Sequence, residues 1–309
     1  MNKMFLTFMA LTLPLAIFGV YTDNFARNKM MPLAAAAYSE LPGVCLEHAF
    51  VNASIFRQIT VSCDIFEKDH CSGFTAVSHS DRAIIVAFRG SESFIQLITE
   101  STQTMFSSKV TFIGGGQVSE FLFKGFNTVW TNGMKDDVMT LKNTYYNYDI
   151  WVTGHSVGGA MASIAAATIV KTGIKPASNV ILYTFGQPRT GDKAFATSHD
   201  SMGMQSYRLT HHRDMVAHVP PMNFEGYYHH EAEVWYDNDM KVGQGYIECD
   251  NADEDNNCSD SDFFTLSIDD HTHYFNRKVS TFGDDGCIDA FKNLKTHKQI
   301  GNEISYKSM

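Results

Sequence analysis

The residues best suited to chemistry lie at Gly154-His155-Ser156-Val157-Gly158, a Gly-x-Ser-x-Gly pattern. It stands between a β-rich run, Asp149-Ile150-Trp151-Val152-Thr153, and an Ala-rich stretch from Gly158 to Val170. A nucleophilic serine needs this layout, because a sharp strand-to-helix turn lifts its hydroxyl above a sheet. The turn brings the flanking backbone close, and Gly154 and Gly158 have no Cβ to clash. The following helix aims its first N–H groups, Val157 among them, at a forming oxyanion. The chemistry is acyl transfer. Ser156 alone is a weak nucleophile and needs a histidine base oriented by a carboxylate.

In such a fold the chain order is Ser, then Asp or Glu, then His. Asp214 follows the β-like run Tyr207–Thr210 directly and is the leading acid. Its competitor Asp192, after Phe185-Gly186-Gln187-Pro188-Arg189, is placed to cap the helix that starts there. The downstream histidines are 218, 229, 230, 271, 273 and 297, and pattern alone does not rank them. No His-Glu-x-x-His and no Cys-x-x-Cys occurs, so neither a zinc hydrolase nor a structural zinc site is expected, and no cofactor is implied. Gly114-Gly115-Gly116 lacks a following Lys-Ser/Thr and reads as a flexible turn, not a phosphate cradle.

These side chains must be carried by alternating elements. Pro32 to Leu41 is Ala-rich and reads as helix; Phe74 to His79 alternates and reads as strand. Ala83-Ile84-Ile85-Val86-Ala87-Phe88, bounded by Arg89-Gly90, suits a buried central strand. Val129, Trp130, Met134, Val138, Leu141 and Tyr145 recur at helical spacing and predict one amphipathic helix over Phe126–Tyr146. Val180–Phe185 predicts a further strand and Asp192–Ser201 a helix. The expected fold is α/β, with a mostly parallel central sheet and helices on both faces. Without internal repeats or a Pro/Ser-rich linker, residues 20–309 are expected to form a single domain.

Of the 309 residues, 44% are hydrophobic and 19% charged, which excludes a disordered or fibrous chain. Net charge is −10, from 24 Lys+Arg against 34 Asp+Glu, with no basic cluster, so nucleic acid is not an expected partner. Lys3 precedes an apolar run, Met4 to Val20, interrupted by Pro14 and short for a span. Residues 1–19 therefore read as a signal peptide cut after Gly19. The cysteines at 45, 63, 71, 249, 258 and 287 all lie beyond it, which points to disulfides in an oxidising compartment. Close spacing makes Cys63–Cys71 and Cys249–Cys258 natural local loops, leaving Cys45 with Cys287, although sequence alone does not fix the connectivity. Asn52-Ala53-Ser54 is a glycosylation sequon; Asn257-Cys258-Ser259 is a second, compromised if Cys258 is bridged. The acidic stretch Asp250–Asp262 lacks the glycine and distal glutamate of a calcium loop and reads as a solvated, disulfide-tied loop.

Several separate motifs, in order, resemble the class 3 (fungal-type) triacylglycerol lipases, a branch of the α/β-hydrolases. They are Ile84-Ile85-Val86-Ala87-Phe88-Arg89-Gly90-Ser91, Lys124-Gly125-Phe126, Thr153 to Ala160, Tyr183 to Asp192, Arg213 to Pro221, and Asp270-His271-Thr272-His273-Tyr274-Phe275. The resemblance covers roughly Ala34 to Cys287. It implies Ser156 as nucleophile, Asp214 as orienting acid and His271 as base, with His273 as the fallback, and Ser91 beside Val157 in the oxyanion hole. It also favours the pairs Cys45–Cys287 and Cys249–Cys258. Glu92 to Glu100 would form a lid, with Phe94, Leu97 and Ile98 on one helical face, Ile95 adjoining, and Leu97 where tryptophan is usual. The implied function is a secreted serine lipase acting on acylglycerols at a transient lipid–water interface, as a monomer without a stable membrane span. The alternatives are an esterase or phospholipase of the same fold and, behind them, a non-catalytic secreted lipid-binding protein. The expected location is extracellular, with the lumen of an endolysosomal organelle as the alternative.

Overall fold

The computed structural model describes residues 20–63, 70–91, 105–222, 224–250, 254–261 and 266–288. An eight-stranded sheet runs through it, with strands side by side in chain order. They are β1 (Ala53–Ser62), β2 (His70–Ser78), β3 (Ala83–Phe88), β4 (Asp149–His155), β5 (Val180–Phe185), β6 (Gln205–His211), β7 (Glu233–Tyr236) and β8 (Ile247–Cys249). Pairing is parallel from β3 through β7 and antiparallel at both edges. The registers Phe88↔Gly154, His155↔Phe185 and Phe185↔Leu209 bring the carboxyl ends of four strands to one level. The loops that leave there carry Ser91, Ser156, Gly186 and Asp214. This is the edge where open parallel sheets place their ligands.

Period-two alternation feeds two cores at once. Ile84, Val86 and Phe88 of β3 enter one apolar cluster, and Ala83, Ile85 and Ala87 enter the other. The first cluster packs under three helices, α3 (Glu120–Val129), α4 (Lys135–Thr144) and α5 (Val157–Lys171). The second packs under α1 (Met31–Ala36), α2 (Pro42–Ala49) and α8 (Val279–Asp284); α6 (Lys193–Asp200) and α7 (Ile268–Thr272) lie between α5 and α8 in the chain. The bridges are Cys45–Cys287, Cys63–Cys71 and Cys249–Cys258. The first spans 242 residues and stabilises by about 5 kcal/mol in the chain-entropy description.

Three local expectations change. The single helix over Phe126–Tyr146 is two helices, α3 and α4, separated by a wider turn at Trp130–Met134 where Gly133 adopts φ +128°. Arg57 of β1 fills the notch, donating to Gly133 O at 3.3 Å and pairing with Asp137, which is 1% exposed. The Pro32–Leu41 helix stops at Ala36, and Pro42 at the first turn of α2 starts another. The acidic stretch is only partly solvated: Glu254 and Asp260 are buried against the guanidinium of Arg189 at 2.7 and 3.2 Å. Arg189 also donates to Pro220 O, so this network braces the loop that follows Asp214. Among the described residues no helix is long and apolar enough to cross a membrane.

Candidate active site

Ser156 sits at the turn between β4 and α5 with φ +62° and ψ −133°. A non-glycine residue in that region stores about 1–3 kcal/mol of strain. Close packing holds the turn: a Cβ on Gly154 would lie 2.2 Å from Gly158 O, and one on Gly158 would lie 2.4 Å from Phe88 O. The Ser156 N–H donates to Phe185 O at 2.8 Å, tying the elbow to β5. Val157 opens α5, so its N–H belongs to the first turn, where helical donors lack an internal partner.

The histidine and the acid come from two turns joined backbone to backbone. Ser267 N–H donates to Arg213 O at 3.0 Å, and Met215 N–H donates to Ser267 O at 3.3 Å. Ser267 also caps α7, which carries His271. His271 Nδ1 then lies 2.9 Å from Asp214 Oδ1 and 3.0 Å from Oδ2, with both residues fully buried. Asp214 receives two further donors, Tyr274 Oη–H at 2.7 Å and Val216 N–H at 2.8 Å. Burial alone would raise the Asp214 pKa. The neighbouring His271 and these donors outweigh it and hold the carboxyl down at about 2. Gly186, φ +58°, leaves the room this contact needs: a Cβ there would lie 2.6 Å from Asp214 Oδ2 and 2.7 Å from His271 Nδ1.

Behind the base stands a second imidazole. His155 stacks on His271 with ring centroids 4.6 Å apart. Its Nε2–H donates to His271 O at 2.7 Å, so Nδ1 accepts from Tyr38 Oη–H, also at 2.7 Å. Burial, then the adjacent His271, pushes the His155 pKa down to about 3, so it is neutral. A cavity of about 160 Å³ opens at Ser156 and His271, lined also by Tyr38, Ser91, His155, Thr272, Lys278 and Ser280. Ser156 Oγ and His271 Nε2 are both buried without a hydrogen-bond partner, so the bond between nucleophile and base is not closed in this structure.

Ser156, Asp214, His271, Ser91 and Val157 thus gather at one edge of the sheet. The fallback His273 does not reach Asp214; it lies 2.9 Å from Asp269 O. His218 pairs with Asp260, His229 with Ala217 O and His230 with Ser163. Asp192 caps α6, accepting from Phe195 N–H at 2.8 Å. Asn52 is exposed in the turn before β1. The lid residues Phe94, Ile95, Leu97 and Ile98, and the leader 1–19, lie outside the described residues. Tyr38, His155, Gly186 and Tyr274 went unassigned in the sequence. Only Tyr274 carried a usable signal, standing three residues after His271.

A strained serine on a glycine-flanked elbow, above parallel strands and beside a buried Asp–His pair, defines an α/β-hydrolase of the serine type. The chain belongs to the class 3 lipase family: residues 85–224 match the family Lipase (class 3). It is 33% identical over 298 residues to a lipase of Caenorhabditis elegans, covering 86% of this chain and 83% of that one. A lipase of Rhizomucor miehei is 34% identical over 207 residues, and this chain spans only 55% of that protein's length. The crystal structure of a lipase from Rhizopus microsporus var. chinensis superposes with a TM-score of 0.73 at 29% identity, covering 84% of this chain and 90% of that one. Another neighbour, with a TM-score of 0.72 at 27% identity and covering 84% and 97%, is described as a triacylglycerol lipase whose catalytic centre is a serine protease triad.

Proposed function

We propose that this chain hydrolyses carboxylic ester bonds of acylglycerols through an acyl-enzyme on Ser156. The observation that carries the proposal is the buried two-oxygen contact of Asp214 with His271 Nδ1, beside a strained serine. Asp214 fixes the tautomer with the proton on Nδ1, leaving Nε2 as acceptor. His271 takes the proton of Ser156 as Oγ attacks the ester carbonyl. N–H groups of Ser91 and Val157 hold the oxyanion, each worth about 3 kcal/mol in such sites. His271 then protonates the leaving alcohol, and water cleaves the acyl-enzyme by the same steps reversed. Neutral His155 serves this cycle, because an imidazolium forming at His271 meets no second charge on the ring stacked against it.

Acylglycerols are favoured by the relatives, which include a secreted mono- and diacylglycerol lipase of Fusarium solani, 32% identical over 180 residues. The bridges and the apolar leader support export, with residues 1–19 removed, a glycan at Asn52 and a monomeric extracellular product. Residues 92–100 would act as the lid. The decisive experiment is labelling of the pure protein with a serine-reactive phosphonate. Stoichiometric labelling that disappears in Ser156→Ala supports the reading. No labelling, or labelling that survives Ser156→Ala, overturns it. A steep rise in rate once the ester forms an emulsion identifies a lipase; a smooth rise with dissolved ester identifies a soluble-ester hydrolase.

A further inference from the structure

The described lining of the catalytic cavity has an uneven charge pattern. Every described residue lining it is polar, and none is a carboxylate. Among these described residues the one fixed charge is Lys278. The backbone of Lys278 is held by an antiparallel hairpin in which it lies opposite His273, and the next pair is Tyr274 opposite Arg277. Because Tyr274 is bonded to Asp214, the same hairpin fixes the lysine relative to the Asp–His pair. The Lys278 ammonium makes no ion pair or hydrogen bond among the described residues, although other lysines do, such as Lys29 with Asp81 and Lys124 with Glu120. In a chain of net charge −10, a cation at the mouth of the reacting cavity, without an ion-pair partner among the described residues, is a local reversal of sign. An exposed charge favours an oppositely charged ligand only within a few ångströms in water, so its influence falls on groups close to the scissile bond.

We propose that Lys278 is a specificity-determining residue that favours esters bearing an anionic group next to the bond being cut, namely the phosphate of a glycerophospholipid. This rests on the hydrolase reading above and refines its substrate class. The bond broken is still the carboxylic ester: Ser156 takes the acyl group, the lysophospholipid alcohol leaves with the proton from His271, and water releases the fatty acid. The phosphate is held and not transferred. Thr272 and Ser280, which line the same cavity, add hydroxyl donors suited to phosphate oxygens.

The test uses short-chain substrates kept below their aggregation limit, so that attraction to a charged lipid surface plays no part. The kcat/KM of dihexanoyl phosphatidic acid is compared with that of dihexanoylglycerol for wild type, Lys278→Met and Lys278→Arg. The expected result is an anionic-to-neutral ratio about tenfold lower in Lys278→Met, through KM and not kcat, recovered in Lys278→Arg and erased by high salt. A tenfold change corresponds to about 1.4 kcal/mol. An unchanged ratio in Lys278→Met, or no turnover of the phosphatidic acid by wild type, overturns the proposal while neutral-ester turnover leaves the hydrolase reading intact. Failure of wild type to cleave either ester or to take the phosphonate label overturns both.

Discussion

His155 and His271 stack with ring centroids 4.6 Å apart and planes at 25°; His199 and His230 stack at 3.7 Å and 20°. All four rings are buried. The difference lies in what reaches their nitrogens. In the first pair a carboxylate sits 2.9 Å from His271 Nδ1, and the second imidazole spends both its nitrogens on Tyr38 and His271 O. In the second pair the nearby Asp200 oxygen is 3.7 Å from His199 Nδ1, beyond hydrogen-bonding range, and neither nitrogen of His199 has a partner. His199 of that pair borders a larger cavity of about 280 Å³, rimmed by Asp200, Glu231, Glu248 and Asp250. His199, Asp200 and His230 offer the donor types of a zinc site. Both nitrogens of His230, however, are already engaged by Ser163, Gln187 and Glu231 O. Burial and stacking are therefore common to both pairs. A bonded carboxylate and an unpartnered nitrogen in a cavity shared with a nucleophile are what separate a candidate base from a packed side chain.

Substitutions should widen or close that contrast. The largest effect is expected at the carboxylates. Asp214→Asn should lower kcat on a soluble ester by roughly 10⁴-fold, because the tautomer of His271 is no longer fixed. The matching change Asp200→Asn should leave kcat within about twofold, since no bond to His199 is lost. Gly186→Ala tests geometry alone. Its methyl group would press on Asp214 Oδ2 and His271 Nδ1, and kcat should drop by about 10²-fold while thermal denaturation stays cooperative.

Tyr274→Phe removes one of the donors to Asp214 and should reduce kcat about tenfold, in line with loss of a hydrogen bond to a charged acceptor. Retention of full activity would show that His271 and Val216 N–H suffice to orient the carboxylate. The smallest effect is expected at His199→Phe, with unchanged kinetics and equal or higher stability at neutral pH, because two unpartnered buried nitrogens are removed.

Acid stability supplies the sign of the remaining difference. Burial drives the pKa of His155 from 6.5 to about 3, and lowers those of His199, His229 and His230. For these groups the unfolded chain binds more protons, so stability is full above about 6.5 and falls as pH drops below it. Each contributes a slope of about 1.4 kcal/mol per pH unit while the folded ring stays neutral. His199→Phe should flatten the acid limb of a Tm-against-pH curve by one such increment. The Asp214 contribution is lost later, between 3.8 and about 2.

The central strands and the elbow were legible because their signals are local. Ala83–Phe88 is apolar throughout, and Gly154 and Gly158 bracket Ser156 within one turn. The carboxylate was harder: Asp214 and Asp192 both follow strand-like runs, and only the cap that Asp192 forms on α6 separates them. Tyr38 and Gly186 were unreadable as site residues, since their roles arise from approaches across more than 80 residues of chain, to His155 in one case and to His271 in the other. The break at Gly133 was missed because helical spacing of apolar residues persists through it, while Arg57 arrives from a different strand. The strands β7 and β8 are short and lie among polar loops, where periodicity has few residues to act on.

The bridge between Cys45 and Cys287 has a topological consequence. It makes the intervening polypeptide a closed ring, and Ser156, Asp214 and His271 all belong to it. A single proteolytic nick in an exposed stretch, such as Lys241 to Tyr246, therefore opens the ring without releasing a piece. Such a molecule would keep its mass on a non-reducing gel and separate into two bands once reduced. The same closure makes those exposed residues sensible places to install new chain ends in a permuted variant, which would test how little of the original order the assembled triad requires.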